Sequence, residues 1–138
     1  MKRLSIIIIT YNGLGFLTRC LESLRTFIED PSCEVIIIDN YSTDGTLPFL
    51  RENYPQLQLI LNSENRGVAA ARNQGIAVAK GEKLLLLDND TEANDDAIFI
   101  RLITHFITYT KHISHLNHQP RIGFAAILRD AFFINQTA

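Results

Sequence analysis

Apolar residues in this chain cluster in short unbroken runs, each closed by a group of polar, turn-forming residues. Ser5 to Ile9 is the first run, rich in β-branched residues and ended by Tyr11, Asn12 and Gly13, the pattern of a strand covered on both faces. The opening MKRLSIIII imitates a signal peptide, but Thr10 to Gly13 break the run too soon for an h-region, so it reads as a buried strand. Leu14, Leu17, Leu21, Leu24 and Ile28 then recur in steps of three and four, which predicts one helix with an apolar face, stopped by Pro31. Val35 to Ile38 repeats the buried-strand pattern and runs into DNYSTDGT, whose Asp, Asn, Ser and Gly favour tight turns. A short helix with Pro48 in its first turn is expected next. Leu57 to Leu61 predicts a third strand, Asn62 to Arg66 a polar loop, and Gly67 to about Ala79 an Ala-rich helix. Leu84 to Leu87 predicts a fourth strand, which delivers Asp88, Asn89 and Asp90 at its carboxyl end. A long helix is expected from about Asp95 past His112, ended by Pro120, with Ile122 to Ile127 a further strand. There is no internal repeat, low-complexity tract or linker.

Strands alternating with helices predict an α/β fold, an open and mainly parallel sheet with helices on both faces. Such sheets bind ligands in the crevice beyond the carboxyl ends of their strands. Four polar loops are expected to converge there: Thr10 to Gly13, Asp39 to Gly45, Asn62 to Gly67, and Asp88 to Thr91.

A length of 138 residues suits one domain, read here as a single unit over 1–138, and 46% hydrophobic residues are enough for a core. Thirteen Lys and Arg against fifteen Asp and Glu leave a net charge of −2, so no global field favours nucleic acid or an anionic membrane. An anionic ligand must therefore be held locally. No apolar stretch approaches the roughly 20 residues of a membrane span. Cys20 and Cys33 have neither metal-ligand spacing nor a disulfide framework and read as two packed thiols, which suits a reducing cytosol. The expected location is cytoplasmic, with any attachment to the inner face of a membrane left to parts outside the chain. Sequons at Asn40, Asn89 and Asn135 read as chance, because two of them fall in the expected ligand loops.

The strongest chemical signal is Asp88-Asn89-Asp90, since two carboxylates one residue apart after a buried strand can reach one small volume. That suits Mg²⁺ or Mn²⁺, which takes one or two protein carboxylates and fills its other positions with water and substrate phosphates. A bare DxD is otherwise a solvated loop. Asp39 and Asn40 can hydrogen-bond the imide edge of uracil or thymine, or form an Asx turn. Thr10, Tyr11 and Asn12 can floor a base pocket, or simply end the strand. Asn65, Arg66 and Gly67 precede a helix bearing Arg72 and Asn73, and either arginine could reach a phosphate or ribose; the plainer reading is an Asn cap with exposed arginines. His105, His112, His115 and His118 read as a solvated helix end, because residues three apart drift by about 60 degrees on a helix.

Taken together, SIIIITYNG, IIIDNYSTDGT, ENRGVAAARNQGI and LLLLDND, in this order, resemble the family 2 glycosyltransferases of the GT-A fold, a Rossmann-like architecture. The resemblance covers residues 4 to about 100. It implies that Thr10, Tyr11, Asp39 and Asn40 hold the nucleotide base, and that Asn65, Gly67 and Arg72, matching NxGxxxAR, line the nucleotide pocket. Asp88 matches the acid nearest the ribose, with Asn89 beside it, and Asp90 the metal ligand, with Asp88 a second candidate. It further implies transfer of a sugar from a nucleoside diphosphate, UDP or dTDP, to a saccharide or lipid-linked acceptor hydroxyl with inversion. No general base is identified after Asp90, so that base and the acceptor pocket are expected beyond residue 138, the chain being read as truncated. A non-catalytic nucleotide-binding or scaffolding module of the same fold is the alternative.

Overall fold

Seven consecutive buried residues, Leu4–Thr10, form β1, the central strand of the computed structural model, which describes residues 2–93. The order along the chain is β1, α1 (Leu14–Ser23), α2 (Arg25–Glu29), β2 (Cys33–Asp39), α3 (Thr46–Asn53), β3 (Gln58–Leu61), α4 (Gly67–Val78) and β4 (Lys83–Asp88). The four strands form one parallel sheet in the order β3-β2-β1-β4. The expected α/β architecture is therefore observed. The helix expected from Asp95, the strand expected over Ile122 to Ile127 and all four histidines lie outside the described residues.

The side-chain alternation of a strand explains why β1 is apolar throughout. Ile6 and Ile8 pack with Val35, Ile37, Leu17, Leu21, Phe27 and Leu50, which places α1, α2 and α3 on one face. Ile7 and Ile9 pack with Ile36, Ile38, Ala71 and Ile76, which places α4 on the other. Helix α4 approaches closely because Gly75 has no side chain: a Cβ there would overlap Ile7 and come within 2.9 Å of Ile38 Cδ1. Among the described residues no helix is long and apolar enough to cross a membrane.

The single helix expected from Leu14 to Pro31 is two, broken at Leu24. Ser23 Oγ donates to the Cys20 carbonyl at 2.7 Å, a local bond that competes with helical pairing and bends helices. The same oxygen accepts the Ala93 amide at 3.0 Å. The break changes which residues are inside, since Cys20 and Phe27 are buried whereas Ile28 is only partly so. Asp30 ends the segment before Pro31 by accepting the Ser32 amide at 2.7 Å.

Both cysteines are free and buried. Burial pushes the Cys20 thiol up to about 12, and the Asp90 and Glu92 carboxylates push in the same direction. Burial also raises Cys33. Because the thiolate is the reactive form, neither cysteine is expected to react with iodoacetamide at pH 8 in the folded chain, and both should react in denaturant. Mass spectrometry of the alkylated protein checks this, and rapid native labelling would contradict the packing.

At the amino ends of the strands the Glu34 carboxylate accepts from Ser5 Oγ, Lys80 N and Gly81 N. Desolvation pushes this carboxyl upward, but these bonds outweigh it and hold it below the ordinary glutamate value. A depressed folded-state value stabilises the fold above the unfolded value, and that contribution is lost as pH falls through the folded one. Thermal midpoints measured between about pH 6 and pH 3 should therefore fall less steeply in Glu34→Gln than in the parent.

Candidate functional site

The carboxyl ends of the strands lie level with one another. Thr10 pairs with Asp39, Asp39 with Leu61, and Ile9 with Asp88. Strand β1 has β2 on one side and β4 on the other, and the chain leaves β1 and enters β4 from opposite faces. That is the point in an open parallel sheet where a crevice forms. All four expected loops meet along this edge, and hydrogen bonds between them define the site.

The first and second loops are joined by Asn12 and Asp44. Asn12 has a left-handed backbone, φ 48°. Its Oδ1 accepts the Thr43 amide at 2.7 Å, and its own amide donates to Ser42 Oγ at 2.9 Å. Asp44 accepts the Leu14 amide at 2.9 Å through one oxygen, and the Thr46 amide and hydroxyl through the other. One carboxylate thus satisfies the first backbone amide of each of two helices, α1 and α3. Burial pushes it up, but these bonds prevail and hold it below the ordinary aspartate value. Nothing in the local pattern of the first loop announced Asp44, since it reaches α1 from the second loop.

Asn40, 2% exposed, is the hub between the second and third loops. Its Nδ2 donates to Asn65 Oδ1 at 2.8 Å, and its Oδ1 accepts from Asn62 Nδ2 at 2.9 Å and the Arg66 amide at 3.0 Å. Asn62 and Gln74 exchange two further amide bonds, and Asn65 Oδ1 also takes the Gly67 amide at 2.9 Å. Asn62 and Gln74 were not singled out in the sequence, although a polar pair spaced across a loop and a helix turn was their available signal. Asp39, beside Asn40, is 4% exposed and accepts the Ser42 amide through Oδ1 at 3.0 Å. Tyr11 and Tyr41 stand about half exposed at the rim.

The fourth loop is tied down on three sides. Arg72 Nη2 donates to Asp88 Oδ1 at 2.9 Å in a largely buried ion pair. The Arg72 Nε is buried without a partner among the described residues. Asn89 Nδ2 donates to Thr10 Oγ1 at 3.1 Å. Glu92 pairs with Arg19 of α1 at 3.4 Å, and the Ala93 amide is bound by Ser23. Of the three carboxylates in and just after this loop, Asp88, Asp90 and Glu92, only Asp90 has neither hydrogen bond nor ion pair among the described residues, and it is exposed. No group of three or more metal-ligating side chains occurs among those residues, but a magnesium-type cation needs only one or two protein carboxylates beside a diphosphate.

A parallel sheet with an unengaged acid, Asp90, just after β4 at its crevice is consistent with several enzyme classes, and comparison decides among them. The sequence profile of Glycosyl transferase family 2 matches residues 5–123. The chain belongs to glycosyl transferase family 2. Over 89 residues it is 35% identical to the putative glycosyltransferase EpsH of Bacillus subtilis, a match covering 62% of this chain and 25% of that protein. Among solved structures, Staphylococcus aureus TarS 1-349 in complex with UDP-GlcNAc superposes with a TM-score of 0.59 at 28% identity, covering 78% of this chain and 31% of that one. The mannosyltransferase PcManGT from Pyrobaculum calidifontis, in complex with GDP-Man and Mn²⁺, gives a TM-score of 0.54 at 33% identity over 64% of this chain and 27% of its own. The chain thus spans about a quarter to a third of the length of these proteins.

Proposed function

We propose that residues 1–138 are the donor-binding domain of a glycosyltransferase, and that the crevice at the carboxyl edge of the sheet takes the nucleoside diphosphate of a sugar donor together with Mg²⁺ or Mn²⁺. The observation that carries this reading is Asp90: at the end of β4, every other carboxylate of the loop is held by a cation of the protein, and this one faces solvent unpaired among the described residues. Asp88 keeps its Oδ2 free of hydrogen bonds among those residues and is the second oxygen donor available to the cation or the ribose. The donor set, one or two hard carboxylate oxygens, fits such a cation. TarS bound to UDP-GlcNAc and PcManGT bound to GDP-Man and Mn²⁺ support a nucleotide-sugar ligand with a metal.

The base is assigned to Asp39 and the first loop. Asp39 Oδ1 is spent on Ser42, which leaves Oδ2 to accept an imide N–H of uracil or thymine, with Tyr11 available to stack. Asn40 is assigned to holding the third loop, since both its side-chain groups are engaged within the protein. Arg72 holds Asp88 in place, and Thr10, Asn12, Asn65 and Gly67 shape the loops. When bound, the cation would offset charge growing on the departing diphosphate. Transfer to a saccharide or lipid-linked hydroxyl, with inversion, is assigned to the longer protein, where a general base must lie within hydrogen-bond reach of the acceptor. Titration calorimetry with UDP, dTDP and GDP, with and without Mn²⁺, tests the donor site. Binding of a uracil or thymine diphosphate that Mn²⁺ strengthens is expected; no binding, or binding indifferent to Mn²⁺, overturns it.

A further inference from the structure

Beyond Ile9 and Asp88 the backbone pairing of β1 and β4 stops, and the chain on each side enters a different loop. The base is assigned to the β1 side of this gap and the cation to the β4 side, so a diphosphate ligand must bridge it. Past that pair a side-chain contact spans the gap. Asn89 Nδ2 reaches across to the buried Thr10 Oγ1 at 3.1 Å, a contact between residues 79 apart in sequence. The amide also lies directly over the backbone of Gly13, where an added Cβ would overlap Nδ2 and come within 3.3 Å of Cγ. Gly13 has φ −128°, outside the left-handed region that favours glycine, and what its lack of a side chain serves is this close approach.

On the far side of Asp90 the loop is held by the Glu92–Arg19 pair and by the Ala93 amide on Ser23. Asp90 is therefore suspended between two anchors, one of which is Asn89.

We propose that Thr10, Gly13 and Asn89 form a clasp across the gap that sets the distance between the base-holding loop and the Asp90 carboxylate, so that Asn89 is a positioning residue for the cation. The inference rests on the donor-site reading above. A ligand held at both ends gains affinity only when the two ends are correctly spaced. The clasp thus governs the factor by which Mn²⁺ strengthens UDP binding, while metal-free UDP affinity depends on the first two loops.

The test is that factor, measured by calorimetry in the parent chain and in Asn89→Ala, Thr10→Val, Thr10→Ser and Gly13→Ala. Asn89→Ala and Thr10→Val should each reduce it by about 10-fold, the lower end of what loss of a supporting contact costs a metal site, the metal-dependent affinity falling more than the metal-free one. The double variant should be no worse than either single one, because both remove the same bond. Thr10→Ser keeps the acceptor oxygen and should retain the factor. Gly13→Ala should lower it by displacing the Asn89 amide, the movable end of a side chain, with little change in thermal midpoint. A parent chain in which Mn²⁺ adds nothing sinks the donor-site reading and the clasp with it. A parent with a strong Mn²⁺ effect that Asn89→Ala and Thr10→Val preserve sinks the clasp alone, as does an equal loss of metal-free and metal-dependent binding.

Discussion

Asp90→Ala is expected to abolish the Mn²⁺-dependent part of UDP binding while leaving the fold intact. The expectation follows from what the residue lacks. Asp90 is exposed and makes no hydrogen bond or ion pair among the described residues, so truncating it breaks nothing that holds the sheet together. Exposed substitutions away from packing and caps usually shift stability by less than about 0.5 kcal/mol. For binding the reverse holds. Loss of an outer partner of a metal site costs about 10–100-fold, and loss of a ligand itself should cost at least as much. Calorimetry should therefore show metal-dependent UDP affinity falling by about 100-fold or more, with an unchanged circular dichroism melt. Asp90→Asn, which keeps an oxygen but removes the charge, should recover little of it. Retained Mn²⁺ dependence in Asp90→Ala would shift the cation to Asp88 or remove it from the site.

Asn40→Leu should instead act on both stability and binding. The substitution is close in shape but deletes three side-chain hydrogen bonds, to Asn65, Asn62 and the Arg66 amide. A net contribution of about 1 kcal/mol per bond gives a loss of about 3 kcal/mol, softened where partners keep a second bond. Asn62 retains Gln74, and Asn65 retains Gly67. The Arg66 amide loses its acceptor outright. For a domain of this size the thermal midpoint should fall by on the order of 10 °C, and UDP affinity should weaken because the third loop no longer sits against the second. Asn40→Asp should fall between the parent and Asn40→Leu. Its carboxylate still accepts from Asn62 and Arg66 but has no proton for Asn65 Oδ1. A midpoint for Asn40→Leu within a degree of the parent would show that the amide cluster carries no load.

Much of this molecule was legible in one dimension. Apolar runs such as Ser5 to Ile9 and Val35 to Ile38 have no polar face to offer, so they can be stable only with helices on both sides, as β1 and β2 are. Short strands alternating with helices then leave few topologies, and the loops that meet at the carboxyl edge were identifiable as Thr10 to Gly13, Asp39 to Gly45, Asn62 to Gly67 and Asp88 to Thr91. The break at Leu24 was less legible, because helical periodicity continues through it and the competing bond from Ser23 gains its second partner from Ala93, distant in sequence.

The residue types at the crevice, an Asp-Asn after one strand and an Asp-Asn-Asp after another, were set by the order of amino acids alone, as were the parallel sheet and its two buried inner strands, because hydrophobic periodicity and turn chemistry act between near neighbours. What each of those side chains is free to do was decided only on folding. Asn40 is consumed by three loop contacts, Asp88 is claimed by Arg72, Asn89 crosses to Thr10, and Asp90 is left open. Hydrogen-bond partners at a sheet edge come from loops up to 79 positions apart, so their assignment depends on strand order and register, which no local pattern specifies.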